Sequence, residues 1–184
     1  EGAITTLNLN GKDVEIKDIA TDVADEIIKY IKQHFEQLQK VYKEKGIEYL
    51  CAYINFEVLD KLKNNKKIPV PIYFTSICKE KKIHGGYLPE FNRIILNPFS
   101  YILDKSEENL INADKIDKNS LITTIDHELI HSEQNRRYKA KAEERKKAAE
   151  LAGKKDFKVS PRTTNTNSKQ IADIIDMLCD YGLV

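Results

Sequence analysis

Apolar and polar residues alternate through AITTLNLNGKDVEIK, residues 3 to 17, on either side of Asn10-Gly11. That dipeptide suits a two-residue turn with both central residues at positive φ, so the pattern predicts an N-terminal β-hairpin. The period then changes. Ile19, Val23, Ile27, Ile31, Phe35, Leu38 and Tyr42 recur every three or four residues up to Gly46, which predicts one long amphipathic helix with a stop signal. Residues 47 to 62 are densely apolar without a clean period, and helix is expected over their second half, ending at Asn64-Asn65.

PVPIYFTSI, residues 69 to 77, combines aromatic and β-branched residues behind two prolines, which predicts a strand. Gly85-Gly86 then precedes YLPEFNRIILN, read as a hairpin whose second arm, Arg93 to Asn97, lies on the sheet edge and is closed by Pro98. Asn119 or Ser120 is the expected N-cap of a helix that neither Gly nor Pro interrupts between Leu121 and Gly153. Residues 153 to 168 are polar and turn-rich. In KQIADIIDMLCDYG, Ile171, Ile174, Ile175 and Leu178 share one face of a predicted final helix.

The elements imply one α+β domain over residues 1–184: hairpin and helix in 1–46, sheet and central helix in 47–152, and a loop and helix in 153–184. With 41% hydrophobic and 32% charged residues, no segment has the apolar length of a membrane span. The chain opens at Glu1 without Met or an apolar leader, so a cut or processed N-terminus is expected. Cys51, Cys78 and Cys179 are odd in number and far apart, which predicts free thiols and a reducing compartment. The net charge of +1 conceals a basic stretch: residues 136 to 162 hold eleven Lys and Arg against four Asp and Glu. Such a stretch can attract nucleic acid or another polyanion, but the mixed signs of KAKAEERKKAAE read first as a solvated helix face.

Candidate chemistry centres on His127-Glu128-Leu129-Ile130-His131. Residues four apart stack on one helical face, so His127 and His131 can offer imidazole nitrogens to one Zn2+ while Glu128 stands beside them. Zinc so held acidifies a water and polarises a scissile carbonyl, and Glu128 is the candidate general base. His34 reads as an exposed helix residue and His84 as a loop residue able to approach the cleft as a hydrogen-bond donor. Tyr87 and Tyr138 are further phenols for an oxyanion, with packing as their ordinary role. Cys51 and Cys179 read as small buried hydrophobes.

TIDHELIH, preceded by a hairpin ending in NRIILN, resembles the active-site helix and edge strand of zincin metallopeptidases, over roughly residues 69 to 135. The resemblance implies a zincin-like fold, peptide or protein substrates, and pairing of the substrate backbone with Arg93 to Asn97. HELIHSEQNRR is also similar to HExxH proteins associated with tailed-phage particles, which implies a virion context. A non-catalytic structural or interaction protein on the same scaffold is the alternative. The departure from the family is the third ligand, since no histidine follows His131. Glu143, Glu144 and Glu150 come next, but on a continuous helix Glu143 is about 18 Å from His131 along the axis. The final helix offers Gln170, Asp173 and Asp176, and the sequence does not choose among them. Asp173, Asp176 and Asp180 lie opposite its apolar face, and Gln170 flanks it.

Overall fold

The computed structural model describes residues 2–153. Strands β1 (Thr6–Leu9) and β2 (Lys12–Glu15) form the predicted hairpin, with Leu7 opposite Val14. Asn10 and Gly11 take φ of 55° and 85°, the mirror-image turn whose twist matches that of the strands. Asn10 Nδ2 donates to the Lys66 carbonyl at 2.8 Å, which ties the turn to a distant loop.

The single helix expected up to Gly46 is two, α1 (Ile16–Gln33) and α2 (Phe35–Lys45), bent at His34 with φ −121° and ψ 25°. Helical hydrogen bonds persist on both sides of the bend, where His34 N donates to the Tyr30 carbonyl and Leu38 N to the His34 carbonyl. Apolar spacing therefore continues through it, and the spacing alone cannot reveal it. Gly46, at φ 94°, stops α2 as expected.

Helix occupies the whole of the next segment rather than its second half. It runs as α3 (Ile47–Ile54), a π turn over Asn55–Leu59 and α4 (Asp60–Asn64). The π turn inserts a residue into the helical repeat, which is why the apolar positions lose their period. It also aims Asn55 at strand β3 (Ile72–Phe74), where Asn55 Nδ2 donates to the Phe74 carbonyl at 3.0 Å and Oδ1 accepts from Phe74 N at 2.7 Å.

After the short helix α5 (Ile77–Glu80) come β4 (Gly85–Leu88) and β5 (Arg93–Leu96). The sheet order is β3-β5-β4, with β3 parallel and β4 antiparallel to β5. The hairpin is as predicted, but its arms exchange roles: Arg93–Leu96 is central and Gly85–Leu88 is the edge. The reason is β3, which claims the far side of β5 through Ile94 N to the Pro71 carbonyl and Thr75 N to the Leu96 carbonyl. Asn97 then caps α6 (Pro98–Tyr101) by accepting from Phe99 N at 2.9 Å.

A 3-10 turn over Ala113–Lys115 leads into α7 (Lys118–Leu151), the uninterrupted helix that carries the two histidines. Its N-cap is Asp117, accepting from Ser120 N at 3.1 Å, rather than Asn119 or Ser120. All three residues have capping side chains, and the carboxylate is the one placed ahead of the first turn, where the helix dipole favours it. α1 lies antiparallel on the first half of α7. Asp25 pairs with Lys118 and Lys32 with Asp114 at one end, while Arg137 reaches the Thr6 carbonyl at 3.2 Å at the other. One large core joins the hairpin, α1, α3, one face of the sheet and Leu121, Ile125 and Leu129 of α7. A small second cluster of Tyr73, Cys78, Leu88 and Ile95 covers the other sheet face. No helix among the described residues is long and apolar enough to cross a membrane.

Candidate metal centre

Leu121, Ile125, Leu129 and Ser132 turn one side of α7 inward, and this rotation leaves His127 exposed and His131 half-buried at the margin of the packed face. Their Nε2 atoms stand 3.0 Å apart, with ring centroids at 4.5 Å and planes at 84°. Two imidazole nitrogens at zinc-ligand distance and a tetrahedral angle would be about 3.3 Å apart, so the pair converges much as two ligands of one ion do. His131 Nδ1 faces Gln134 Oε1 at 3.1 Å. A proton on Nδ1, donated to that oxygen, puts the ring's lone pair on Nε2, the atom that lies within hydrogen-bond distance of His127 Nε2.

Glu128 sits on the packed side of the same turn at 7% exposure, its Oε1 3.9 Å from His127 Nε2. Burial pushes its carboxyl up to about 7, because a carboxylate held away from water with no paired cation is disfavoured. Beside it on α7, Thr124 shares a hydrogen bond with the Tyr101 hydroxyl. Gly85 of β4 lies against the same threonine: a Cβ there would meet Thr124 Cγ2 at 2.7 Å and the Ile95 carbonyl at 3.0 Å. The edge strand thus approaches this turn of α7 as closely as it does because residue 85 has no side chain.

A raised acid has a definite sign in the stability of the metal-free protein. Between the unfolded value near 4.5 and the folded value near 7 the folded chain holds a proton that the unfolded chain has lost, so stability falls as pH rises through that window. Glu128→Gln is therefore expected to stabilise the chelator-treated protein at pH 8 by about 1–3 kcal/mol, or roughly 3–10 °C in Tm. The advantage should vanish at pH 4. Thermal melts of the two proteins at both pH values check this.

The other sequence candidates are dispersed. Glu143, Glu144 and Glu150 are exposed and lie three or more turns along the same unbroken helix, so they do not meet the histidine pair. Gln170, Asp173, Asp176, Asp180 and Cys179 lie outside the described residues, as does the predicted final helix. Among the described residues no group of three His, Cys, Asp or Glu is placed to hold a metal ion. Glu133, buried two residues after His131, is bound instead by Arg136 and Arg137, whose hydrogen bonds and charge hold its carboxyl below the ordinary value against burial that raises it. His84 turns its Nδ1 to Ser100 Oγ at 2.8 Å, with its ring centroid 6.3 Å from that of Tyr101. His34 is exposed, with its ring tilted against Tyr30. Tyr138 is exposed and lies eleven residues, about 16 Å of helix, beyond His127. Cys51 and Cys78 are buried free thiols, and burial raises both, Cys78 to about 12. That suits packing rather than nucleophilic chemistry.

Sequence reasoning passed over one polar group, Asn135, and it is joined to a residue that was weighed, Tyr87. Tyr87 of β4 donates to Asn92 Oδ1 at 2.6 Å and accepts from Asn135 Nδ2 at 3.0 Å, bridging the hairpin to α7 one turn beyond His131. Asn135 is 2% exposed, and its Oδ1 has no hydrogen-bond partner among the described residues. The available signal was its position, seven residues after Glu128 and so on the same helical face. Comparison with known proteins returns no matching family model, no similar curated protein and no similar solved structure.

Proposed function

We propose that the protein is a zinc-dependent peptide hydrolase with a zincin-like site, in which His127 and His131 hold the ion and Glu128 is the general base. The convergence of the two Nε2 atoms at 3.0 Å beside a buried carboxyl carries this reading. Zinc, when bound, would supply a Lewis acid for the scissile carbonyl and a lowered pKa for the attacking water.

The chain's own residues would do the rest. Glu128 accepts the proton of the water at a carboxylate oxygen and returns it to the leaving amine, and a carboxyl lifted by burial is a stronger base than an exposed one. Gln134 fixes the His131 tautomer. β4, rather than Arg93 to Asn97, has the outer edge on which an extended peptide can add as a further strand. The third donor is proposed to come from Gln170, Asp173 or Asp176, or from a bound partner.

A non-catalytic protein on the same scaffold is the second reading. It is favoured by one observation, that two ligands rather than three come together among the described residues. Elemental analysis of protein purified without added metal separates the two. About one zinc per chain is expected, falling to near zero in His131→Ala. Absence of zinc that added metal does not restore would overturn the hydrolase reading.

A further inference from the structure

The second half of α7 outruns everything described that packs on its first half. The described elements that pack most on the helix are α1, β4 and β5. α1 meets the start of α7, where Asp25 pairs with Lys118, and the N-terminal hairpin meets it at Arg137, which reaches the Thr6 carbonyl. Beyond that point the helix should be exposed on every side, and on most sides it is. Ala140 and Ala148 are exposed, yet Ala142 and Ala149, the same residue type on the same projecting helix, are 7% and 8% exposed. They fall seven and fourteen residues after Asn135, so the three form one straight seam of a helix. At its inner end lies the buried Asn135 carbonyl oxygen, which needs a donor that the described residues do not provide.

We infer that the seam Asn135–Ala142–Ala149 is the docking face for the chain's own residues 170–184. Their sequence offers the matching apolar stripe of Ile171, Ile174, Ile175 and Leu178. Small alanines on one side and bulky branched residues on the other allow close approach. The charges are complementary: residues 136–151 hold seven Lys and Arg against three Glu, whereas residues 170–184 hold three Asp and no Lys or Arg. The chain can also return. Gly153, at φ 77°, ends α7 with its N–H on the Glu150 carbonyl, and the sixteen residues after it can span about 50 Å. The way back from Gly153 to Asn135 is about 27 Å. The segment carries Gln170, Asp173 and Asp176, the third donors proposed above, but its docking rests on the seam and not on the zinc chemistry.

Hydrogen exchange on the metal-free full chain tests it. In the parent, amides of residues 170–184 should exchange at least tenfold more slowly than in an Ala142→Glu/Ala149→Glu variant, which places carboxylates on the seam without disfavouring helix. Ala140→Glu/Ala148→Glu, on the exposed faces, should match the parent. Protection of residues 121–135 should be unchanged in both, showing that the body is folded. Unprotected residues 170–184 in the parent, or protection that survives the seam variant, would overturn the inference. So would protection that depends on protein concentration with a doubled mass in light scattering, which would make the occupant a second copy.

Discussion

Glu128→Gln is expected to lower kcat for peptide hydrolysis by about 10²–10⁴-fold while zinc content stays at the parental level. The substitution keeps the shape of a side chain packed at 7% exposure, so the turn of α7 that presents His127 and His131 is left as it is. What it removes is the proton acceptor, because an amide cannot take the proton of the attacking water at neutral pH. The loss should fall on kcat rather than KM, since Glu128 is proposed to touch the water and not the peptide backbone that β4 would hold. Glu143→Gln, exposed and far along the helix, should leave both constants unchanged. A quenched-fluorescent peptide mixture read beside elemental zinc makes the comparison, and full activity with zinc bound would remove Glu128 from the mechanism. The same substitution is expected to stabilise the metal-free protein at pH 8. A variant that is more stable, still holds zinc and has lost turnover would separate the chemical role of the carboxyl from any structural one.

How much of this was legible depended on whether the signal was local. The Asn10-Gly11 turn and the unbroken run from Leu121 to Gly153 each rest on the preferences of a few neighbouring residues, and both elements form where those preferences place them. The relation between His127, Glu128 and His131 is likewise set within one helical turn. Features that depend on distant partners were not legible. The bend at His34 preserves apolar spacing, and the π turn at Asn55 destroys it, so periodicity concealed one and blurred the other. The order of the sheet turned on which strand β3 would choose, and no pattern within YLPEFNRIILN records that choice. Asn135 looked like one more polar residue of a solvated helix. Only the approach of Tyr87 from the edge strand makes it part of the wall beside the site.

The π turn also locates a structural weak point remote from the chemistry. In a parallel pair, alternate residues of a strand direct their backbone groups away from their neighbour, and Phe74 does so on the free side of β3. Both of its groups are taken by one buried side chain, that of Asn55 at 1% exposure. Asn55→Ala strands a buried N–H and a buried carbonyl together and leaves a small void. It is therefore expected to cost about 2–4 kcal/mol, or roughly 5–15 °C in Tm. Asn55→Asp keeps the acceptor for Phe74 N but loses the donor to the Phe74 carbonyl and buries a charge, so it should be destabilising at pH 7 and partly recover at pH 4, where protonation restores a donor. Asn55→Gln, one methylene longer, can restore both bonds only by shifting the π turn, and should fall between parent and Ala. Thermal melts of the four proteins at both pH values test the ordering. An alanine variant as stable as the parent would mean that the edge of β3 finds other partners, and that the π turn is not what holds the helix over Ile47–Asn64 against the sheet.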